Sequence, residues 1–134
     1  MIAIDTNLLV RYITNDDPLQ ARQALAVLAG REAVFVSRTV LLELEWVLRA
    51  AYELPREAIE HALLTILGLP SVVPEHPTQI ALALEGYRQG LDFADALHYT
   101  GAEQARGLLT FDKKMLKRAR EIGWRVLPVP GAGA

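Results

Sequence analysis

Short apolar segments alternate along the chain with longer segments in which apolar residues recur every three or four positions. The short segments are typical of buried β-strands, and the periodic ones are typical of amphipathic α-helices. The predicted strands are the apolar runs at 2–4, 33–36, 71–74, 108–110 and 124–129. The predicted helices begin at or just after Asp5, Pro18, Ser37, Pro55, Thr78, Asp92 and Asp112, and the one that begins at Asp92 extends to Ala105.

This alternation of short strands and helices predicts an α/β fold. Strands connected by helices run parallel and are covered on both faces, so a three-layer α/β/α domain with a short, mostly parallel central sheet is expected. The length of 134 residues fits one domain over 1–134, ending in a Gly- and Ala-rich tail at 131–134.

The composition narrows the function classes. The chain has no cysteine, which excludes disulfide frameworks, thiolate zinc sites and Cys nucleophiles. No apolar run is long enough to cross a bilayer, and an acid at position 5 breaks any signal-peptide pattern. A soluble, cytoplasmic protein without membrane association is expected.

Charge is unevenly distributed although the net charge is only −2. Residues 106–125 contain seven bases against two acids, a net charge of +5, and the rest of the chain has seven bases against fourteen acids, a net charge of −7. The basic segment is either a solvated helix face or a surface that attracts phosphates.

Two acids lie at or just after the ends of predicted strands. Asp5 ends the first strand, and Asp112 lies two residues after the strand at 108–110. Ligands of parallel sheets bind at the carboxyl ends of strands. We therefore expect Asp5 and Asp112 to project from the same edge of one sheet.

Three further acids lie on predicted helices. Glu43 has a leucine on either side and is either a site acid near the same edge or an exposed acid on an amphipathic helix. Asp92 and Asp95 are three residues apart, so they share a helix face. Asp92 is either a metal ligand or the N-cap of its helix.

If these carboxylates converge, they repel one another unless a cation lies between them. Oxygen-only ligands suit Mg²⁺ or Mn²⁺. Such an ion orients a phosphate, lowers the pKa of a bound water and stabilises the charge that develops on phosphoryl oxygens. The pattern indicates metal-dependent phosphoryl chemistry.

Four segments together resemble PIN-domain ribonucleases, and specifically the toxins of VapBC-type toxin–antitoxin modules. The segments are Ile2–Asn7, Val40–Glu43, Asp92–Leu97 and Leu109–Lys114. They occur in the family's order and approximate spacing, and the resemblance spans nearly the whole chain.

The resemblance implies a catalytic, metal-holding cluster of Asp5, Glu43, Asp95 and Asp112, to which Asp92 is an additional candidate ligand. The residues that it implies in support of the cluster are Thr6, Asn7 and Thr110, and the candidate RNA phosphate contacts are Arg11, Arg38, Lys113, Lys114 and Lys117. The implied reaction is endonucleolytic hydrolysis of an RNA phosphodiester by metal-activated water, which needs no histidine base. His98, one turn beyond Asp95, either supports the cluster or packs.

The resemblance also implies partners. VapC-type toxins are homodimers neutralised by an antitoxin protein, whose tail enters the toxin's groove; Arg11 is a candidate for contacting that partner. Their RNA substrates belong to the tRNA or rRNA class.

Competing interpretations fit less well or remain open. A response-regulator receiver needs a phosphorylatable Asp at the end of a middle strand, where this chain has Ser37. A haloacid-dehalogenase-type phosphatase needs Asp-x-Asp after the first strand, where this chain has Asp5-Thr6-Asn7. A non-catalytic PIN-fold module that binds RNA or protein is the open alternative.

Overall fold

A computed structural model describes residues 1–131, and so only Gly131 of the predicted Gly- and Ala-rich tail lies within the described residues. The chain forms two compact units, Met1–Pro77 and Thr78–Ala134. No helix in the described part of the chain is both long and apolar enough to span a membrane.

The first unit contains a three-stranded parallel sheet. Its strands are β1 (Ile2–Ala3), β2 (Val34–Val36) and β3 (Val72–Pro74), and they lie in the order β1-β2-β3. Ile2 pairs with Val34, and Val34 pairs with Val72. Four helices connect and cover these strands, namely α1 (Thr6–Thr14), α2 (Pro18–Leu28), α3 (Arg38–Ala50) and α4 (Arg56–Leu67).

The helices of the first unit begin where the sequence provides capping oxygens. Asp5, Asp17 and Ser37 have extended backbones, and each side chain accepts a hydrogen bond from a backbone N–H in the following helical turn. Pro18 occupies the first turn of α2, where its missing N–H removes no helical hydrogen bond.

The core of the first unit is built from helical residues at the predicted spacing. On α3, Leu41, Leu44 and Leu48 are all completely buried. On α4, Ile59 and Leu63 are equally inaccessible. These positions recur every three or four residues, which places them on one helix face.

The second unit contains a two-stranded parallel sheet of β4 (Leu108–Thr110) and β5 (Val126–Pro128), in which Leu108 pairs with Val126. Its helices are α5 (Pro77–Arg88, which starts at the last residue of the first unit), α6 (Phe93–Gly101) and α7 (Lys113–Glu121). A cluster of Leu91, Met115, Ala119 and Val126 forms its core around β5 and α7.

Aromatic packing fixes the interior of the second unit. The Tyr99 and Trp124 rings are stacked with centroids 4.5 Å apart. Trp124 also lies against Gly86 of α5, where any Cβ would overlap the indole ring. Tyr87 and Phe93 meet edge to face at 5.4 Å.

The predicted α/β class with parallel strands is confirmed, but two details of the prediction are wrong. Within residues 1–131 the strands form two hydrogen-bonded sheets rather than one. Helix α6 ends at Gly101 instead of Ala105, because Ala102 and Ala105 bond to carbonyls three residues back and form tight turns instead of further α-helix.

Candidate active site

Asp5 lies between β1 and α1 and is exposed. Its Oδ1 accepts a hydrogen bond from the backbone N–H of Leu8 at 3.2 Å, so Asp5 is the N-cap of α1. The acid therefore lies at the carboxyl end of a strand and at the amino end of a helix. Both positions favour a negative charge that faces a ligand.

Glu43 lies on α3 and is tied to the start of α1. Its Oε1 accepts a hydrogen bond from the Thr6 hydroxyl at 3.1 Å, and Thr6 itself is buried. Because Thr6 follows Asp5, this bond holds the Glu43 carboxylate beside the first turn of α1. Glu45 is the buried acid of α3 and pairs with Arg49 at 2.9 Å, which is a structural role.

Asp92 precedes α6 and caps it. Its Oδ1 accepts the backbone N–H of Asp95 at 3.1 Å, so the N-cap alternative for Asp92 is confirmed. Asp95, in the first turn of α6, is partly buried. This capping bond therefore joins the backbone N–H of Asp95 to the side chain of Asp92.

Asp112 follows β4 and caps α7. Its Oδ1 accepts the backbone N–H groups of Lys114 at 2.9 Å and of Met115 at 3.1 Å. The backbone N–H of Asp112 in turn donates to Thr110 Oγ1 at 3.0 Å. Thr110 thus helps to fix the backbone that positions Asp112.

Asp92 and Asp112 act electrostatically on Asp95, the third predicted acid of the second unit. Partial burial, and then the charges of Asp92 and Asp112, raise the pKa of Asp95, while His98 lowers this pKa by a smaller amount. His98 is exposed, so it affects Asp95 by charge rather than by packing. A carboxylate destabilised by two like charges is a site that a cation stabilises, and an oxygen-only donor set fits a hard divalent ion.

The remaining predicted residues lie as follows. Asn7 is exposed on the first turn of α1, and Lys113 and Lys114 are exposed on the first turn of α7. Arg38, the first residue of α3, donates its backbone N–H to Glu75 Oε1 at 2.9 Å. Arg11 binds Asp16 at 3.0 Å and Gln20 at 2.8 Å, both within the first unit.

Glu75 is an acid that sequence reasoning missed. It comes directly after β3, donates its backbone N–H to the Val36 carbonyl at 3.0 Å and, through its side chain, caps the start of α3. The available signal was the same as for Asp5, an acid directly after an apolar strand.

The predicted acids thus belong to two sets. Asp5 and Glu43 lie in the first unit, and Asp92, Asp95 and Asp112 lie in the second. Within residues 1–131, no three acidic or histidine side chains form a ready-made metal site. That all the predicted acids share one metal centre stays a prediction.

A cavity of about 280 Å³ in the second unit lies away from Asp112. Gly107 and Arg125, which immediately precede β4 and β5, line it together with Tyr99, Thr100 and Arg106. Asp112 follows the opposite, carboxyl end of β4. The cavity and Asp112 are therefore at different ends of β4.

Comparison with known families places most of the chain in one family. The family model described as PIN domain matches residues 2–121, which include every predicted acid of both units. No curated protein matches the chain.

Proposed function

Because the chain belongs to the PIN domain family, we propose that it is a metal-dependent endoribonuclease that hydrolyses RNA phosphodiester bonds. The observation that supports this most is the position of Asp95, whose pKa is raised first by partial burial and then by the like charges of Asp92 and Asp112. The repulsion among these like charges disappears when a divalent cation binds.

Asp5, Glu43, Asp95 and Asp112 are the residues that would hold Mg²⁺ or Mn²⁺. Once bound, the ion supplies a nucleophile from water at neutral pH and a positive charge for the phosphoryl oxygens. Asp112 uses Oδ1 for both capping bonds, which leaves Oδ2 for the ion. Asp92 likewise uses Oδ1 for its capping bond, and it stays an additional candidate ligand that also adds its charge to the site.

The neighbouring side chains orient the acids and hold the substrate. Thr6 fixes the direction of the Glu43 carboxylate, and Thr110 fixes the backbone at Asp112. Lys113 and Lys114, exposed directly after Asp112, are placed to contact RNA phosphates. Arg38, at the start of α3, is a third candidate phosphate contact.

We further propose that the enzyme is the toxin of a type II toxin–antitoxin system of the VapC type. In this proposal it acts in the cytoplasm as a homodimer on an RNA of the tRNA or rRNA class, and an antitoxin protein inhibits it. The resemblance of its four acidic segments to those toxins supports this assignment.

The test is RNA cleavage by Asp5→Asn and Asp95→Asn proteins in Mg²⁺ or Mn²⁺. Asn retains a capping oxygen, so Asp5→Asn removes the charge without losing the N-cap of α1. Asp17→Asn is the matched control, because Asp17 caps α2 through the same kind of bond to Gln20 at 3.1 Å.

We expect a loss of at least a hundredfold in cleavage for Asp5→Asn and Asp95→Asn, consistent with loss of a metal ligand, and no loss for Asp17→Asn. Native protein that binds RNA but cleaves none with any divalent ion would contradict the proposal. That result would identify a non-catalytic binding module instead.

A further inference from the structure

Phe111 is a large aromatic residue that lies on the protein surface instead of in the core. It joins β4 to α7, and 85% of its surface is exposed, the largest value among the exposed large apolar residues of the described chain. An apolar ring of this size has a higher free energy in water than when it is buried. A binding partner that covers the ring would recover that free energy.

The turn that presents Phe111 is held on both sides. Before it, Thr110 Oγ1 accepts the backbone N–H of Asp112 at 3.0 Å. After it, Asp112 Oδ1 accepts the backbone N–H of Lys114 at 2.9 Å and of Met115 at 3.1 Å. The backbone that carries the ring is therefore fixed. Only the two side-chain torsion angles of Phe111 lose freedom when the ring binds.

The residues beside Phe111 are suited to a nucleic acid rather than to an apolar ligand. The next residue is Asp112, a proposed metal-holding acid, and the following two are the exposed bases Lys113 and Lys114. Helix α7 adds Lys117, Arg118 and Arg120. An exposed aromatic ring followed by several basic side chains matches a strand of RNA, which presents nucleobases and phosphates in alternation.

We propose that Phe111 is a stacking platform for an unpaired RNA base next to the phosphate that is cleaved. This inference rests on the proposed ribonuclease function and assigns Phe111 the contact with an unpaired base of the RNA. Bases inside a duplex are already stacked on their neighbours and cannot reach a protein ring, whereas bases in loops can be turned outward.

The test compares RNA affinity among variants of one position, in the cleavage-deficient Asp95→Asn protein so that binding is measured without turnover. Phe111→Ala removes the ring, Phe111→Leu keeps an apolar side chain without an aromatic face, and Phe111→Trp keeps stacking. Trp46→Ala is the matched control, since Trp46 is an exposed aromatic residue (57%) on α3. The probes are a single-stranded oligoribonucleotide of about 12 nucleotides and a duplex of the same sequence.

We expect Phe111→Ala and Phe111→Leu to weaken binding of the single strand by about tenfold or more, while Phe111→Trp retains it. Binding of the duplex should change less than twofold in every variant, and Trp46→Ala should resemble the parent protein. Equal affinities of the parent and Phe111→Ala for the single strand would overturn the inference. Equal losses of affinity for the single strand and for the duplex in Phe111→Ala would also overturn it.

The outcomes separate this inference from the proposed function. If proteins with native Asp95 cleave RNA equally well with and without the Phe111 ring, the ribonuclease proposal stands and the stacking inference fails. If Phe111→Ala affects only the binding of a protein partner, the ring belongs to a protein interface and the inference is wrong.

Discussion

A single hydrogen bond gives Glu43 its direction. The buried Thr6 hydroxyl donates to Glu43 Oε1 at 3.1 Å across 37 positions of sequence. A bond from a neutral donor to a carboxylate contributes about 1.5–3 kcal/mol when it is well formed. Thr6 therefore acts as a positioning residue for the proposed active site.

Replacing Thr6 by Val should slow RNA cleavage because the isosteric side chain cannot donate to Glu43. We expect a roughly tenfold fall in kcat/KM, whereas Thr6→Ser, which keeps the hydroxyl, should stay within about threefold of the native value. Steady-state cleavage assays and circular dichroism of both variants provide the measurement. Unchanged cleavage by folded Thr6→Val protein would show that the bond does not orient Glu43 for catalysis.

Asp16 has a structural role that depends on pH. Its carboxylate accepts hydrogen bonds from Tyr52 at 2.5 Å, Thr14 at 3.0 Å and Arg11 at 3.0 Å. The bond from Tyr52, followed by the one from Thr14, lowers the pKa of Asp16 below its usual value of 3.8. A lowered folded-state pKa stabilises the protein above the unfolded pKa, and this contribution is lost as the pH falls through the folded pKa.

The stability of the protein should therefore fall more steeply below about pH 4 than in a variant without this carboxylate. We expect Asp16→Asn to flatten the dependence of the urea midpoint on pH in that range, and Tyr52→Phe to flatten it partly. Parallel curves for the native and Asp16→Asn proteins would contradict the role assigned to these bonds.

At the scale of elements, the same residues start helices and supply the proposed active-site charge. Asp5 caps α1, Asp92 caps α6 and Asp112 caps α7. In each case the capping bond uses Oδ1. The folding role and the proposed catalytic role of such an acid can be separated by substitution, because Asn keeps the cap and Ala does not.

For Asp112 we expect both Asp112→Asn and Asp112→Ala to lose RNA cleavage. Only Asp112→Ala should also lower the free energy of unfolding, by about 0.5–2 kcal/mol, because it removes the acceptor for Lys114 and Met115. Urea denaturation and cleavage assays on both variants test this. Full cleavage activity in Asp112→Asn would restrict Asp112 to a capping role.

The elements near the acids were predictable because their signals are local. An apolar strand followed by a capping acid identifies the starts of α1 and α7, and the prediction for β4 agrees with the structure at both ends. The bond between Thr6 and Glu43 was not predictable, since it depends on how α1 and α3 pack. The division of the strands into two sheets depends equally on long-range pairing.

At the scale of the whole molecule, four acids that lie far apart in the sequence are proposed to serve one metal centre. Asp5 and Glu43 come from Met1–Pro77, and Asp95 and Asp112 come from Thr78–Ala134. The PIN domain match includes all four. If one ion depends on acids of both sets, a substitution in either set weakens the binding of that same ion.

The most direct test is a double-mutant cycle on Mn²⁺ affinity, measured by titration of the native protein, Asp5→Asn, Asp95→Asn and the double variant. We expect each single substitution to weaken Mn²⁺ binding at least tenfold and the double variant to bind Mn²⁺ no more tightly than the weaker-binding single variant. A native affinity unchanged by either substitution, or a substitution that removes one Mn²⁺ and leaves another bound with native affinity, would contradict a metal centre that depends on both Asp5 and Asp95.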